Sequence, residues 1–258
     1  MANQKGGVAK TTVCHNLSVA LALKKRKVLM VDLDGQASLS FCAGIQDPMK
    51  YDGCNIVALL QKRSNVAVEK CIHSVGASPE LNGYLFIIPS IIDLSSMESE
   101  MYARTSRERI LATALRPILG DYDYIIIDCP PQLGLMTINA LSCAHYVIIP
   151  CKTDELSYRG LTQLMDTIKD VQEYVNPNLQ IYGVIPTLYQ QRVTSDKNIL
   201  ARLESEYRVV ARMKLAAVAK KGLYDGISVV ELNPTHEISV SMMELANKIV
   251  TELEGTKE

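Results

Sequence analysis

The strongest constraint on the fold is an alternation of short apolar runs with longer stretches of helical spacing. Each short run is a continuous series of mostly apolar residues, rich in β-branched and aromatic side chains. The runs cover residues 28–31, 84–88, 124–127, 146–149 and 181–185. Continuous apolarity of this kind is typical of strands that are covered on both faces of a sheet.

Longer stretches with apolar residues at helical spacing separate or follow these runs. They cover residues 11–25, 99–119, 157–174, 196–207 and 237–253. Strands that alternate with helices pair in parallel, because each helix carries the chain back across one face of the sheet. The sequence therefore predicts an α/β fold with a mostly parallel, twisted sheet flanked by helices on both faces. No linker-like segment interrupts the pattern, so we expect one domain over residues 1–258.

The composition is that of a globular protein without strong overall charge. Hydrophobic residues make up 48% and charged residues 21% of the 258 residues, and the formal net charge is -1. Any contact with DNA must therefore come from a local patch. The seven cysteines are scattered without a CxxC pair, which predicts neither a disulfide framework nor a zinc site and favours a reducing cytoplasm. No apolar run approaches the roughly 20 residues that span a bilayer, so we expect no membrane-spanning segment.

A segment rich in glycine and lysine directly precedes the first predicted helix. The common phosphate-loop pattern GxxxxGK[ST] is not met, since Gln4 and Ala9 occupy its two glycine positions, but the variant KGGxxK[ST] is complete from Lys5 to Thr11. Glycines allow successive backbone N–H groups to turn towards phosphate oxygens, and the helix N-terminus adds a partial positive charge. The sequence therefore predicts a phosphate-binding loop. Its residues are Gly6, Gly7, Val8, Ala9, Lys10, Thr11 and Thr12.

Side chains suited to a nucleotide and its metal ion accompany this loop. Lys10 would contact the β- and γ-phosphates, and the Thr11 hydroxyl would bind Mg2+. Asp32 and Asp34 follow the first predicted strand, and Asp128 follows the third. The carboxyl edge of such a sheet is where Mg2+ and an attacking water are held. Each aspartate alone could cap a strand end, but with the loop they predict a metal site formed by Thr11 and carboxylates from this set.

The segment that precedes the loop is short. Only Met1, Ala2 and Asn3 come before it, too few for the buried strand that normally leads into such a loop. Either the reading frame starts further upstream or the sheet lacks a central strand. We expect the first, with Met1 an internal methionine, because losing a central strand would leave ladder groups of its neighbours unpaired. A stop codon directly before Met1 would contradict this expectation.

Three longer motifs contain the predicted site residues: NQKGGVAKTT at residues 3–12, VDLDGQAS at 31–38 and YDYIIIDCPPQLGLMTINAL at 122–141. Together they resemble the ParA/MinD family of P-loop ATPases over nearly the whole chain. The Asp-Cys-Pro-Pro-x-Leu-Gly run and the Asp-Gly-Gln variant of an Asp-Pro-Gln segment are most similar to the ParA, or Soj-like, branch. The resemblance implies that the ligands are ATP and Mg2+ and that ATP is hydrolysed at a slow basal rate.

The resemblance also implies roles for individual residues. Lys5 looks like the signature lysine that reaches the nucleotide of a partner subunit, so that a homodimer encloses two ATP molecules. Asp34 is implied to orient the attacking water, and Asp128 to hold Mg2+ through water. The implied metal site is therefore Thr11, Asp34 and Asp128. Asp32 would support the loop. Catalysis by Lys5, Lys10 and Asp34 would then consist mainly of positioning and charge stabilisation.

Two residues depart from the family pattern. Ala9 replaces the usual glycine before the catalytic lysine, and if this position needs a positive φ, the methyl group would strain it. Gly35 replaces the usual proline and should loosen the first switch loop. Both differences bear on ATP affinity and turnover. A hydrolysis-deficient scaffold that only binds ATP and a partner is therefore an open alternative.

A basic stretch between residues 192 and 221 is the candidate DNA contact. It contains eight Lys or Arg residues against three Asp or Glu. Doubled in a dimer, such a patch could bind phosphates without reading bases. A solvated helix face is the simpler alternative. The predicted DNA-binding residues are Arg192, Arg208, Arg212, Lys214, Lys220 and Lys221.

The ParA resemblance implies plasmid or chromosome partitioning with a ParB-like activator protein. It also implies a cytoplasmic protein that associates with the nucleoid when ATP is bound. A MinD-like positioning ATPase is the alternative within the family, and such a protein should carry a basic amphipathic helix at its C-terminus. Here, residues 239–258 contain four Glu against two Lys. We therefore expect no membrane partner.

Overall fold

Strands and helices alternate along the computed structural model, which describes residues 1–61, 65–216, 218 and 226–255. The strands are β1 (Val28–Asp32), β2 (His73–Ser74), β3 (Leu85–Ile88), β4 (Tyr124–Asp128), β5 (Tyr146–Lys152), β6 (Gln180–Tyr189) and β7 (Met213–Lys214). The helices are α1 (Lys10–Leu23), α2 (Ser38–Cys42), α3 (Ile56–Leu60), α4 (Leu94–Met101), α5 (Ile110–Leu115), α6 (Leu135–Cys143), α7 (Glu155–Tyr174), α8 (Thr194–Glu206), α9 (Val229–Leu232) and α10 (Glu237–Glu254). Short 3-10 helices cover Pro48–Tyr51, Val68–Cys71, Pro79–Leu81, Arg107–Arg109 and Arg116–Ile118.

Most of the strand pairs are parallel. In the first sheet, β1 lies between β3 and β4 and pairs with both in parallel, while β2 pairs with β3 in antiparallel orientation at the edge. In the second sheet, β6 lies between β5 and β7, again in parallel. The predicted α/β fold with a mostly parallel sheet flanked by helices is confirmed. The strands, however, are divided between two sheets.

The two sheets meet at the first residues of the chain. The Met1 amino group donates to the Ile127 carbonyl at 2.6 Å, and the Met1 carbonyl accepts from the Cys129 N–H at 3.1 Å. The Ala2 N–H donates to the Ile148 carbonyl at 3.3 Å. The first two residues therefore bond to the end of β4 and to β5. These two strands do not pair with each other in the described chain. That Met1 lies inside a longer reading frame stays a prediction.

Helices cover both faces of the sheets, and the alternating side chains of β1 point into two cores. Leu29 and Val31 belong to a core that includes α3, α4, α5, α6, α7 and α8. Val28 and Met30 belong to a second core, which includes α1, α2, α9 and α10. All four side chains are fully buried. This is the burial expected for a strand that is covered on both faces.

Four of the five predicted helices are confirmed with small shifts of their ends, as α1, α7, α8 and α10. The prediction of one helix over residues 99–119 is wrong. The chain there forms the end of α4, a turn, α5 and 3-10 segments, because Ser106 adopts a left-handed conformation with a φ of 52°. The buried Asn139 side chain holds this break. It donates to the Arg107 carbonyl at 2.8 Å and accepts from the Leu111 N–H at 3.0 Å.

The long helix α10 packs against α1 through apolar side chains. Ile238, Met242 and Leu245 of α10 are buried in the same core as Leu17 and Leu21 of α1. The apolar residues of α10 recur at the spacing of one helix face, which explains why they are buried together. Among the described residues, no helix combines the length and the apolarity needed to cross a bilayer.

Candidate functional site

The predicted phosphate-binding loop connects Asn3 to the N-terminus of α1. Gly7 and Ala9 both adopt left-handed backbone conformations, with φ of 70° and 65°. The condition for strain at Ala9 is therefore met, since only glycine adopts this conformation without cost. Helix α1 begins at Lys10, and its N-cap Ala9 makes no side-chain capping bond. The start of α1 therefore keeps N–H groups that a ligand could use.

Lys10 extends from the first turn of α1 back into the loop. Its Nζ donates to the Lys5 carbonyl oxygen at 3.0 Å, and the residue is buried. Burial lowers the pKa of Lys10, while the negative charges of Asp128 and Asp34 act in the opposite direction. An ammonium group has three N–H donors, so a single backbone partner leaves others for further oxygens. Lys10 can therefore bind phosphate oxygens that enter the loop.

Thr11 and Asp128 form the second polar contact of the site. The Thr11 hydroxyl donates to Asp128 Oδ2 at 2.6 Å. Asp128 is buried, and its other oxygen, Oδ1, has no hydrogen-bond partner within the described part of the chain. Burial raises the pKa of Asp128 to about 6, against the opposing effects of Thr11 and Lys10. A carboxylate oxygen without a donor beside a threonine hydroxyl fits a hard cation such as Mg2+.

Asp32 lies beside Asp128, because β1 and β4 are in register at these two residues. Asp32 Oδ2 accepts from the N–H and the hydroxyl of Ser40 at 2.9 and 2.8 Å, and Oδ1 accepts from the Asp34 N–H at 3.1 Å. Burial and the charge of Asp128 raise the pKa of Asp32 to about 7. One oxygen of Asp32 is thus engaged by Asp34 in the loop and the other by Ser40 of α2. Asp32 therefore links the loop to the start of α2, and both of its oxygens already have partners.

Asp34 is half-buried at the edge of the site. Its Oδ1 accepts from the Gln36 N–H at 2.9 Å, and its charge influences the pKa of both Asp128 and Lys10. The predicted residues Lys10, Thr11, Asp34 and Asp128 are therefore brought together at the carboxyl edge of the first sheet. The remaining predicted loop residues lie next to them, with Gly6 beside Pro131, Val8 buried and Thr12 in the first turn of α1.

The Lys5 side chain points towards the N-terminus of α7. Its Nζ lies 2.8 Å from Asp154 Oδ1. Asp154 is the N-cap of α7, where it accepts from the Ser157 N–H at 2.8 Å, and it also pairs with Lys152 at 3.1 Å. Burial raises the pKa of Asp154, but the hydrogen bonds from these three residues outweigh burial and hold the pKa well below its usual range. Asp154 is not among the residues that the motifs predict, although its position between a predicted strand and a predicted helix is a signal in the sequence.

Asn3 and Thr187 are two further residues of the site whose roles the motifs did not predict. Asn3 Oδ1 accepts from the Lys5 N–H at 2.9 Å, and its Nδ2 donates to the Pro150 carbonyl at 2.7 Å. The Thr187 hydroxyl donates to the Val8 carbonyl at 2.9 Å. Both residues are buried. They attach the loop to β5 and β6, so the conformation of the loop depends on the second sheet as well as on α1.

The predicted DNA-binding residues do not form one free basic surface. Three of them pair with carboxylates of the same chain: Arg208 with Glu252 at 2.6 Å, Arg212 with Glu204 at 2.6 Å and Lys214 with Glu237 at 2.5 Å. Arg192 is exposed just before α8. Lys220 and Lys221 lie outside the described residues. The pairing lowers the positive charge that this region presents to solvent.

Proteins of known sequence are similar to most of this chain. A family model described as an AAA domain matches residues 1–181. An uncharacterized protein of Mycobacterium tuberculosis is 40% identical over 207 residues, which cover 80% of this chain and 63% of that relative. The chain thus spans less than two thirds of that relative's length. The chromosome partitioning protein ParA of Myxococcus xanthus is 36% identical over 208 residues, which cover 81% of this chain and 70% of the relative.

A solved structure has the same arrangement of strands and helices. The crystal structure of cobyrinic acid a,c-diamide synthase from Mycobacterium smegmatis, with bound ADP and magnesium, is 32% identical in sequence and has a TM-score of 0.82. The similarity covers 99% of this chain and 94% of that one. Fold, motifs and relatives therefore agree. This chain belongs to the ParA/MinD family of P-loop ATPases.

Proposed function

We propose that the chain binds ATP together with Mg2+ at the loop before α1 and hydrolyses the ATP to ADP and phosphate. The observation that carries this proposal is the pair of contacts made by two neighbouring residues in the first turn of α1. Lys10 keeps a buried ammonium group within the loop. Thr11 contacts Asp128, which has a further oxygen without a partner in the described chain. The Mycobacterium smegmatis structure with ADP and magnesium supports this choice of ligands.

Different residues of the site would bind the phosphates and the metal ion. Lys10 and the loop N–H groups would hold the phosphates, and Thr11 with Asp128 would hold Mg2+. When bound, Mg2+ would neutralise charge on the phosphate oxygens. Lys10 would exchange the Lys5 carbonyl for a phosphate oxygen, so its ammonium group passes from one acceptor to another within a buried site. Asp34, beside Lys10 and Asp128, would orient the attacking water.

The proposal includes an ATP-dependent homodimer in which Lys5 contacts the nucleotide of the partner subunit. The Lys5 and Asp154 side chains are 31% and 30% exposed. Separating such a partly exposed ion pair costs at most about 1 kcal/mol. The Lys5 backbone is fixed separately, by the bond of its N–H to Asn3. The side chain could therefore move to a new partner while the loop keeps its conformation.

A role in DNA partitioning is the cellular function that the relatives favour, since one of them is a chromosome partitioning protein. In this role the cytoplasmic, ATP-bound dimer would bind DNA nonspecifically, associate with the nucleoid and respond to a ParB-like activator. Arg192 is exposed and suited to a phosphate contact. Arg208, Arg212 and Lys214 would first have to exchange carboxylates of their own chain for DNA phosphates. The proposal therefore expects a moderate, salt-sensitive affinity for DNA.

A second candidate function is an ATP-binding scaffold without hydrolysis. The left-handed conformation of Ala9, with a φ of 65°, favours it. Strain in the residue directly before Lys10 can shift the ammonium group away from the position that catalysis needs. ATP binding would then persist while turnover is lost.

Phosphate release separates the two candidates. Phosphate release and ATP binding would both be measured with Mg2+ and ATP, with and without DNA. The proteins compared are the unmodified protein, Lys10→Ala and the control Lys169→Ala, which changes an exposed lysine of α7. The ATPase proposal expects slow release from the unmodified protein and from Lys169→Ala, and only background release from Lys10→Ala. ATP binding without any release that depends on Lys10 would support the scaffold. Absence of ATP binding would contradict both.

A further inference from the structure

Helix α4 contacts two segments of the site that follow different strands. The first is the loop after β1, which carries Asp34 and Gly35. The second is the segment between β4 and α6, which runs from Asp128 to Gly134. Each segment contains an aspartate of the candidate site and a glycine that lies against α4. The helix is thus in contact with both segments at once.

At Gly35, α4 lies so close that an added side chain would meet the Ser95 hydroxyl group. A Cβ atom there would lie 2.8 Å from Ser95 Oγ and 3.5 Å from the Ile92 carbonyl oxygen. Gly35 is not among the described residues with a positive φ, so its backbone conformation does not require a glycine. A proline would meet the same atoms, because it also carries a Cβ. Gly35 thus lies next to α4, and the loosening of this loop stays a prediction.

One turn further along α4, Glu98 contacts the second segment. Its Oε1 accepts from the Met136 N–H at 3.3 Å. Gly134, the N-cap of α6, has no side chain that could make this bond, and a Cβ atom at Gly134 would lie 2.7 Å from Glu98 Oε1. Glu98 thus caps the start of α6 from another helix, with its negative charge where the helix dipole favours it.

The other side of α4 is anchored in the protein core. Leu94, Met97 and Met101 are buried together there. Ser95 and Glu98 are three residues apart and therefore neighbours on one side of the helix. Because a packed helix tends to move as a unit, a displacement of the helix backbone at Ser95 would also move Glu98.

We propose that α4 couples the two loops, and that Glu98 is a positioning residue that fixes the start of α6 and the segment leading to it from Asp128. The contacts of α4 do not depend on the proposed function, but the role given to them here rests on it. A movement of the Gly35 loop on nucleotide binding would reach the Asp128 segment through Ser95 and Glu98. The two loops would then respond to the nucleotide together.

The test uses the nucleotide-free protein and measures hydrogen exchange at the Met136 amide. Glu98→Ala removes the acceptor and is expected to raise the exchange rate about fivefold, the usual effect of losing a cap. Glu98→Gln keeps an acceptor oxygen and is expected to restore a rate near that of the unmodified protein. Glu100→Ala, an exposed glutamate of the same helix, is the matched control and should leave the rate unchanged.

The coupling between the two loops is tested by a substitution in the loop after β1, with exchange still measured at Met136. Gly35→Ala adds a methyl group that meets the Ser95 hydroxyl, and if the helix gives way we expect faster exchange at Met136 although the substitution lies in another segment. Adding Ser95→Ala removes the Oγ that meets this methyl group, and the rate should return towards that of the unmodified protein. Exchange at Leu141, later in α6, reports any general loss of stability.

Two results would overturn the proposal. If Glu98→Ala accelerates exchange at Met136 but Gly35→Ala does not, Glu98 caps α6 without linking the loops. If neither substitution changes the rate, the cap itself is unimportant. Failure of ATP binding would be a separate result, because these rates are measured without nucleotide.

Discussion

Lys5 and Asp154 form an ion pair, with Nζ 2.8 Å from Oδ1, that ties the predicted signature lysine to its own subunit. Asp154 is at the same time the N-cap of α7. In the proposed dimer, Lys5 would leave this partner for the nucleotide of the other subunit. The ion pair within one chain then competes with the contact that Lys5 would make in the dimer, so a stronger ion pair weakens dimer formation.

Asp154→Asn should favour the ATP-dependent dimer. The amide oxygen can still cap α7, so the fold is retained while the charge that attracts Lys5 is lost. We expect the dimerisation constant with ATP to rise up to about fivefold, the range for a partly exposed ion pair. Sedimentation over a range of protein concentrations measures it, with Glu155→Gln as the neighbouring control. If Asp154→Asn forms a weaker dimer than this control, Asp154 does not compete with the partner's nucleotide for Lys5.

Ala9→Gly should stabilise the protein. The φ of 65° costs alanine about 1 kcal/mol that glycine does not incur. Urea unfolding should therefore give a free energy of unfolding higher by roughly this amount, less the entropy that glycine adds to the unfolded chain. Ala22→Gly, inside α1, is the control and should destabilise the protein by about 1 kcal/mol. Destabilisation by both substitutions would argue against strain at Ala9.

Asp32 and Asp128 should make the stability of the nucleotide-free protein depend on pH. Their pKa values are raised from 3.8 to about 7 and about 6. The folded state therefore retains protons that the unfolded state has lost, so stability falls as the pH rises through this window. Asp128→Asn should raise the free energy of unfolding at pH 8 by roughly 2 kcal/mol and change it little at pH 4. Urea unfolding at both pH values tests this, and destabilisation at pH 8 would contradict it.

DNA affinity should depend more on Arg192 than on Arg212. Arg192 is exposed, whereas Arg212 already pairs with Glu204. We expect Arg192→Ala to weaken nonspecific binding and reduce the salt slope by about 1, with a smaller effect of Arg212→Ala. Glu204→Gln should strengthen binding by releasing Arg212. Fluorescence anisotropy with ATP, with ADP and with Lys10→Ala measures these effects, and equal binding under all three conditions would exclude control by ATP.

Long apolar runs made the main strands predictable from sequence. The strands β1 and β4 are continuous apolar runs that end in an aspartate, and their parallel pairing brings Asp32 and Asp128 to the same edge. The strands β2 and β7 have two residues each and leave no such pattern. The break in the helix near Ser106 was also unpredictable. The Asn139 side chain that holds it comes 32 residues after its acceptor, the Arg107 carbonyl.

The parts of the site that consist of consecutive residues were as predictable from sequence as the main strands. Lys10 and Thr11 adjoin because they follow one another at the start of a helix. Asp154 and Glu98 were missed because their contacts depend on how α7 and α4 pack. Asp154 lies 149 residues from Lys5, and Glu98 lies 38 residues from Met136. The ion pairs of the basic stretch were missed for the same reason, since two of their carboxylates belong to α10.

The central claim is that the loop before α1 binds ATP through Lys10 with the help of Mg2+. Calorimetric titration of ATP into the unmodified protein, Lys10→Ala and Lys169→Ala, each with and without Mg2+, tests it most directly. The account predicts binding by the unmodified protein and by Lys169→Ala that is markedly stronger with Mg2+, and at least tenfold weaker binding by Lys10→Ala, about 1.4 kcal/mol or more. Equal affinity of all three proteins, or binding indifferent to Mg2+, would contradict it.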